Sequence, residues 1–131
     1  MSYRKMLKSK IHRAHITDAN LDYEGSISIP NTLLLLADII PNEAVQIWNI
    51  SSGTRFETYA IAGYSNPSAI CVNGAAAHLV TPGDIIIIAS FIDLEEEKVR
   101  SYQPTILFVD NYNQVIEQRA ERNIYSDIDS D

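Results

Sequence analysis

Polar and apolar residues alternate loosely along residues 6–16. Leu7, Ser9, Ile11 and Arg13 fall on one face, and Lys8, Lys10, His12 and Ala14 on the other. Period-two alternation of this kind predicts a strand whose second face carries polar groups. Residues 17–24 are polar and read as a connector, with a short helical turn around Asp18-Ala19-Asn20-Leu21. A second strand over residues 26–29 is stopped by Pro30, which has no N–H for a ladder. Asn31 is placed to cap a short helix over residues 33–39 that Pro41 ends.

Beyond the helix the pattern becomes one of short strands and turn signals. Residues 44–50 and 54–62 flank Ser51-Ser52-Gly53, a hairpin turn. Residues 70–72 form a short strand running into Asn73-Gly74-Ala75-Ala76-Ala77. Pro82-Gly83-Asp84 is a further turn, and residues 85–91 are so continuously β-branched that the strand should be buried on both faces. Residues 93–98 are acidic and solvated, and residues 105–110 and 114–117 make a last hairpin around Asn111-Tyr112-Asn113. From Gln118 the apolar stripe dissolves. Residues 1–117 therefore read as one domain and 118–131 as an acidic, disordered tail. Many short strands with small helices predict a mainly β fold, a closed or nearly closed barrel.

Composition narrows the picture. A chain of 131 residues that is 46% hydrophobic suits a single core, so a site must be a crevice of one fold or lie between copies of it. A net charge of −7 argues against nucleic acid, which needs clustered Lys and Arg. The basic residues are uneven: Arg4, Lys5, Lys8, Lys10 and Arg13 crowd the start, and Arg55 then stands apart until Lys98. The plain reading is that the lysines guard an exposed edge strand and Arg55 sits on a solvated turn. The single cysteine, Cys71, fits a reducing compartment and reads as a buried, inert thiol. Apolar runs are too short to span a bilayer and no signal peptide is visible, so a soluble, cytoplasmic protein is expected. His12, His15 and His78 do not make a metal set, and no metal is expected.

Five ordered segments carry a resemblance. They are Met6-Leu7-Lys8-Ser9-Lys10-Ile11-His12-Arg13, Tyr23-Glu24-Gly25-Ser26, Gly53-Thr54-Arg55-Phe56-Glu57-Thr58-Tyr59-Ala60-Ile61, Asn73-Gly74-Ala75-Ala76-Ala77-His78 and Pro82-Gly83-Asp84, with Tyr102-Gln103-Pro104 matching as well. Over residues 6–110 the chain resembles the pyruvoyl-dependent aspartate α-decarboxylase family. The resemblance implies a double-psi β-barrel assembled as a homotetramer with active sites between subunits. It also implies self-cleavage between Gly25 and Ser26, giving a small chain 1–25 and a large chain from residue 26. Ser26 then becomes a covalent pyruvoyl cofactor that forms a Schiff base with L-aspartate, yielding β-alanine and CO2 for pantothenate and coenzyme A synthesis. Whether a maturation partner assists cleavage is left open.

The residues suit that chemistry. Attack of the Ser26 hydroxyl on the Gly25 carbonyl needs a strained peptide, which glycine tolerates, and a donor to the oxyanion, the part that matches Thr58. Tyr59 matches the family's proton donor. Arg55 can grip a carboxylate at two points and is expected to hold the substrate's side-chain carboxylate. Lys10 matches a family active-site lysine. Gly74, Ala75 and Ala76 match substrate-contacting positions, where backbone N–H groups after Asn73 suit a carboxylate. His12 and Tyr23 match residues lining the family site. The loop Tyr64-Ser65-Asn66-Pro67-Ser68 departs from the family's charged, glycine-containing stretch. Two rival readings are an N-terminal-serine hydrolase after the same cleavage, and a β-barrel interaction module with the bond uncut.

Overall fold

The computed structural model describes residues 1–121. Strands account for most of its regular structure: β1 (Tyr3–His15), β2 (Asp18–Asn20), β3 (Ser26–Pro30), β4 (Ala44–Asn49), β5 (Arg55–Gly63), β6 (Cys71–Asn73), β7 (Ile85–Glu95), β8 (Thr105–Val109) and β9 (Val115–Ala120). One short helix, α1 (Asn31–Ala37), and 3-10 turns over Gly74–Leu79 and Glu96–Lys98 interrupt them. The strands form a single mixed sheet in the order β2-β6-β3-β5-β4-β7-β1-β8-β9. Its two ends approach each other through loops: Asn113 donates to the Ser68 carbonyl at 2.7 Å, and Gln114 to the Pro67 carbonyl at 3.2 Å. The fold is mainly β and barrel-like, around one core that includes Ile11, Ile29, Leu34, Ile47, Ile88 and Leu107. Each such side chain contributes about 1.5–3 kcal/mol by leaving water.

β1 is not an edge. It pairs antiparallel with β7 along its length and parallel with β8 over Ser9–His12, so Lys10 lies between two strands and does not guard an edge. Lys8 instead reaches the Asp38 carbonyl and the Glu43 carboxylate, pinning the C-terminal end of α1 to the sheet. A cation there also suits the helix dipole. Period-two alternation in β1 fails at Arg13, where a bulge between His12 and Ala14 puts Arg13 at φ 64°. The extra residue turns Arg13 outward and lets fully buried Ala14 take the core position.

Several local expectations are corrected. Residues 18–20 are a strand, because β2 pairs in parallel with β6, a long-range partner that polar local sequence does not reveal. Asn31 does not cap α1. Pro30 occupies the cap position, and the helix ends at Ala37, where Asp38 turns left-handed at φ 55° well before Pro41. β7 buries Ile86, Ile88 and Ser90 on one face; on the other Ala89 is buried, while Ile85, Ile87 and Phe91 are half-buried. β9 continues through Gln118, Arg119 and Ala120, past the point where the tail was expected to begin. Backbone pairing with β8 requires no apolar pattern, and Arg119 stacks on Phe108 at 4.8 Å. Residues 122–131 lie outside the described residues.

Candidate active site

The β3–β6 ladder brings the first set of chemical groups together. Ser26 pairs with Asn73, and Ser28 with Cys71, in antiparallel register. Core-facing Ile27 and Val72 lie between them, so Ser26, Asn73 and Cys71 share the opposite face. Ser26 is 1% exposed. Its Oγ accepts a hydrogen bond from Asn73 Nδ2 at 3.0 Å, and among the described residues its own proton has no acceptor. Asn73 is itself buried, and its Oδ1 accepts from the Cys71 thiol at 3.2 Å. Burial, and then the nearby Asp18 carboxylate, push the Cys71 thiol above its usual range, so it stays protonated.

Immediately after Asn73 the chain turns sharply. Gly74 takes φ 72°, and a Cβ built there would lie 2.7 Å from Gly25 Cα, 2.8 Å from Gly25 N and 3.1 Å from the Tyr23 carbonyl oxygen. The Gly74 backbone is therefore pressed against the peptide that precedes Ser26. The left-handed glycine is Gly74 and not Gly25, which has ordinary φ and open space where a side chain would stand. It is the wall behind Gly25 that needs glycine. From Gly74 a 3-10 turn begins, with Ala75 exposed and Ala76 half-buried.

β5 places two further residues at the same end. Ile27 pairs with Ala60 in parallel, so Ser26 enters β3 beside Tyr59. Tyr59 is 37% exposed and shares the outer face with Ser26. Thr58 pairs with buried Val45 and points to the core side, and its hydroxyl makes no hydrogen bond among the described residues. Tyr23 is largely exposed, and its carbonyl adjoins Gly74.

Arg55, Lys10 and His12 lie on the outer face of the sheet, with Arg55 three strands away from His12. Arg55 lies four residues before Tyr59 on β5, about 13 Å along the strand. It pairs with Trp48, and its guanidinium sits 4.9 Å from the centre of the Trp48 ring. The same row continues across the sheet through Ile87 to His12, all on the outer face, while the adjoining Ile47-Ile88-Ile11 row is fully buried. His12 packs edge-on against Phe108 at 5.3 Å, and Lys10 pairs with Glu121 at 3.3 Å. Burial, then the charges of Lys10, Arg13 and Arg119, hold the His12 imidazole below its usual range. Within one copy, the serine group and these three residues stand apart.

Two residues that adjoin the expected site residues escape a reading by motif. Cys71, read as inert, lies two positions before Asn73 on a strand, a spacing that puts both side chains on one face. Trp48 stands opposite Arg55 across the Ser51-Ser52-Gly53 turn, so hairpin register was the available signal.

A family model described as aspartate decarboxylase matches residues 2–116. An aspartate 1-decarboxylase of Legionella pneumophila (strain Paris) is 62% identical over 122 residues, covering 93% of this chain and 92% of that protein. Proteins with the same name from Syntrophotalea carbinolica and Myxococcus xanthus are 55% and 54% identical. Those matches cover 90% of both chains in the first case, and 86% of this chain and 87% of the other in the second.

Proposed function

The chain belongs to the aspartate decarboxylase family, and from that premise we propose that it converts L-aspartate to β-alanine and CO2 with a pyruvoyl group made from its own Ser26. The observation that carries this reading is a buried Ser26 hydroxyl, held by Asn73, beside a Gly25 peptide against which Gly74 is pressed. These residues fit the formation of such a group, since the serine is shielded from water and the missing Cβ of Gly74 leaves room for the scissile segment.

Cleavage follows from groups of this chain. Ser26 Oγ adds to the Gly25 carbonyl carbon, the Gly25–Ser26 C–N bond breaks, and an ester with a free amine results. Thr58 is assigned as donor to the oxyanion that forms on the Gly25 carbonyl oxygen. Loss of the Ser26 Cα proton then breaks the Cβ–Oγ bond, and Gly25 leaves as a carboxylate. The remaining enamine takes up a proton on its former Cβ, water adds to the resulting imine, ammonia departs, and a ketone is left at position 26.

Once formed, the pyruvoyl group supplies an electron sink for the bond to the departing carboxylate. The chain's residues do the rest. Tyr59, on the outer face beside Ser26, is the acid that returns a proton to carbon through its phenol. The N–H groups of the turn beginning Gly74-Ala75-Ala76 receive one carboxylate. Arg55, its guanidinium over the Trp48 ring, grips the side-chain carboxylate, because tight pairing of the departing one would stabilise the ground state. Lys10 and His12 share the face with Arg55, and Tyr23 lines the serine side.

Because Arg55, Lys10 and His12 stand apart from Ser26 in one copy, we assign them to the site of a neighbouring copy in a homotetramer. A cytoplasmic place in pantothenate and coenzyme A supply belongs to the same reading. Intact-mass analysis of wild type beside Ser26→Ala tests it. Wild type should give fragments 1–25 and 26–131 and make β-alanine; Ser26→Ala should stay whole and inactive. A wild-type chain still whole after prolonged warming would refute the proposal.

A further inference from the structure

We propose that Cys71 is a positioning residue for the Gly25–Ser26 cleavage, its thiol fixing which end of the Asn73 amide faces Ser26. The inference rests on the self-cleavage reading above and adds to it a residue outside the site already assigned. An asparagine amide is nearly symmetric in shape, so its two ends can exchange unless a neighbour distinguishes them. Asn73 is 5% exposed, so water does little to decide the matter. On one side stands Ser26 Oγ, 3.0 Å from Nδ2, and a hydroxyl accepts or donates equally well. On the other stands the Cys71 sulfur, 3.2 Å from Oδ1. A protonated thiol is a donor and only a weak acceptor, and burial beside Asp18 keeps this one protonated. The thiol therefore selects the orientation with oxygen toward sulfur and NH2 toward Ser26.

That orientation serves both bond changes at Oγ. An N–H donor stabilises negative charge as the hydroxyl loses its proton on attack. It stabilises the same oxygen again when the Cβ–Oγ bond breaks and Gly25 leaves as a carboxylate. The reversed amide would offer a lone pair to an oxygen that is gaining charge. Ladder register makes the arrangement rigid: Cys71 pairs with Asp18 on one side and Ser28 on the other, and Asn73 pairs with Ser26.

The test is the rate at which freshly purified precursor converts to two fragments, followed by intact mass at neutral pH. The variants are Cys71→Ser, Cys71→Ala and Cys71→Val, the last nearly isosteric and well suited to a strand. Cys71→Ser puts beside the amide a hydroxyl that accepts or donates equally well, so it no longer selects the amide orientation and should cleave more slowly than wild type. Cys71→Ala and Cys71→Val should be slower by about fivefold, the worth of one neutral hydrogen bond. Melting temperatures identify any variant that has merely lost its fold, and the other apolar variant then carries the comparison. Apolar variants as fast as wild type overturn the role, and so does a serine variant as fast as wild type. A wild-type chain that stays whole overturns the cleavage reading itself, which is a separate result from a wild type and Cys71→Ala that cut equally fast.

Discussion

Gly74→Ala isolates the contact between the turn and the scissile peptide. At φ 72° any L-residue other than glycine carries a backbone penalty of about 1–2 kcal/mol. Gly53, at φ 82°, imposes the same penalty on Gly53→Ala, but its Cβ would meet nothing within 4 Å. The two variants therefore share a loss of stability and differ in one respect. At position 74 the new methyl lies 2.7 and 2.8 Å from the Cα and N of Gly25. Ordinary carbon contacts sit near 3.5–4 Å, so the Gly25 segment must yield by about 1 Å. Displacement on that scale of an atom about to be attacked costs on the order of 100-fold in rate, or about 2.7 kcal/mol of barrier. Cleavage followed by intact mass should accordingly be about 100-fold slower in Gly74→Ala than in Gly53→Ala, and Gly74→Ala should also melt lower, because the atoms that must shift are backbone. Equal cleavage rates in the two variants would show that the Gly74 wall does not position the scissile bond.

Trp48→Leu removes the ring beneath the Arg55 guanidinium. A surface cation–π contact is worth about 0.5–1 kcal/mol, so KM for aspartate should rise about two- to fivefold with kcat little changed. Arg55→Lys should raise KM further, and steady-state kinetics showing KM unchanged in both would remove Arg55 from substrate binding. His12 gives a pH signature. Its imidazole pKa is lowered from 6.5 in the folded chain, so between that lowered value and 6.5 the unfolded chain binds a proton that the folded chain refuses. Stability should therefore fall as pH drops below about 6.5 and be insensitive to His12 above it. Denaturant midpoints from pH 7.5 to 5 should fall less steeply in His12→Gln, and parallel slopes would contradict the assignment.

Most strands were legible because each carries its own pattern or punctuation. The Ser51-Ser52-Gly53 turn set the β4–β5 hairpin, and the β-branched run after Gly83 set β7. What failed depended on partners distant in sequence. β2 is a strand because β6 lies beside it, and Arg13 leaves the core face because one inserted residue resets the alternation. The site followed the same division. Ser26, Tyr59 and Asn73 could be named from motifs, yet motifs gave no distances. They could not say that Gly74, not Gly25, carries the unusual backbone, or that the cationic row lies well apart from the serine. Cys71 was missed because a lone thiol in an apolar stretch has no signature until its neighbour's amide is placed.

The interior place of β1 bears on what cutting the chain would do to the molecule. The piece ending at Gly25 contains β1 and β2, and β1 is hydrogen-bonded to β7 on one side and β8 on the other. A nick after Gly25 thus leaves the smaller piece held between β7 and β8, where it cannot dissociate without breaking both ladders. Refolding from denaturant would then be a meeting of two molecules rather than the collapse of one, slower on dilution. The nicked protein should owe its endurance to how slowly it comes apart.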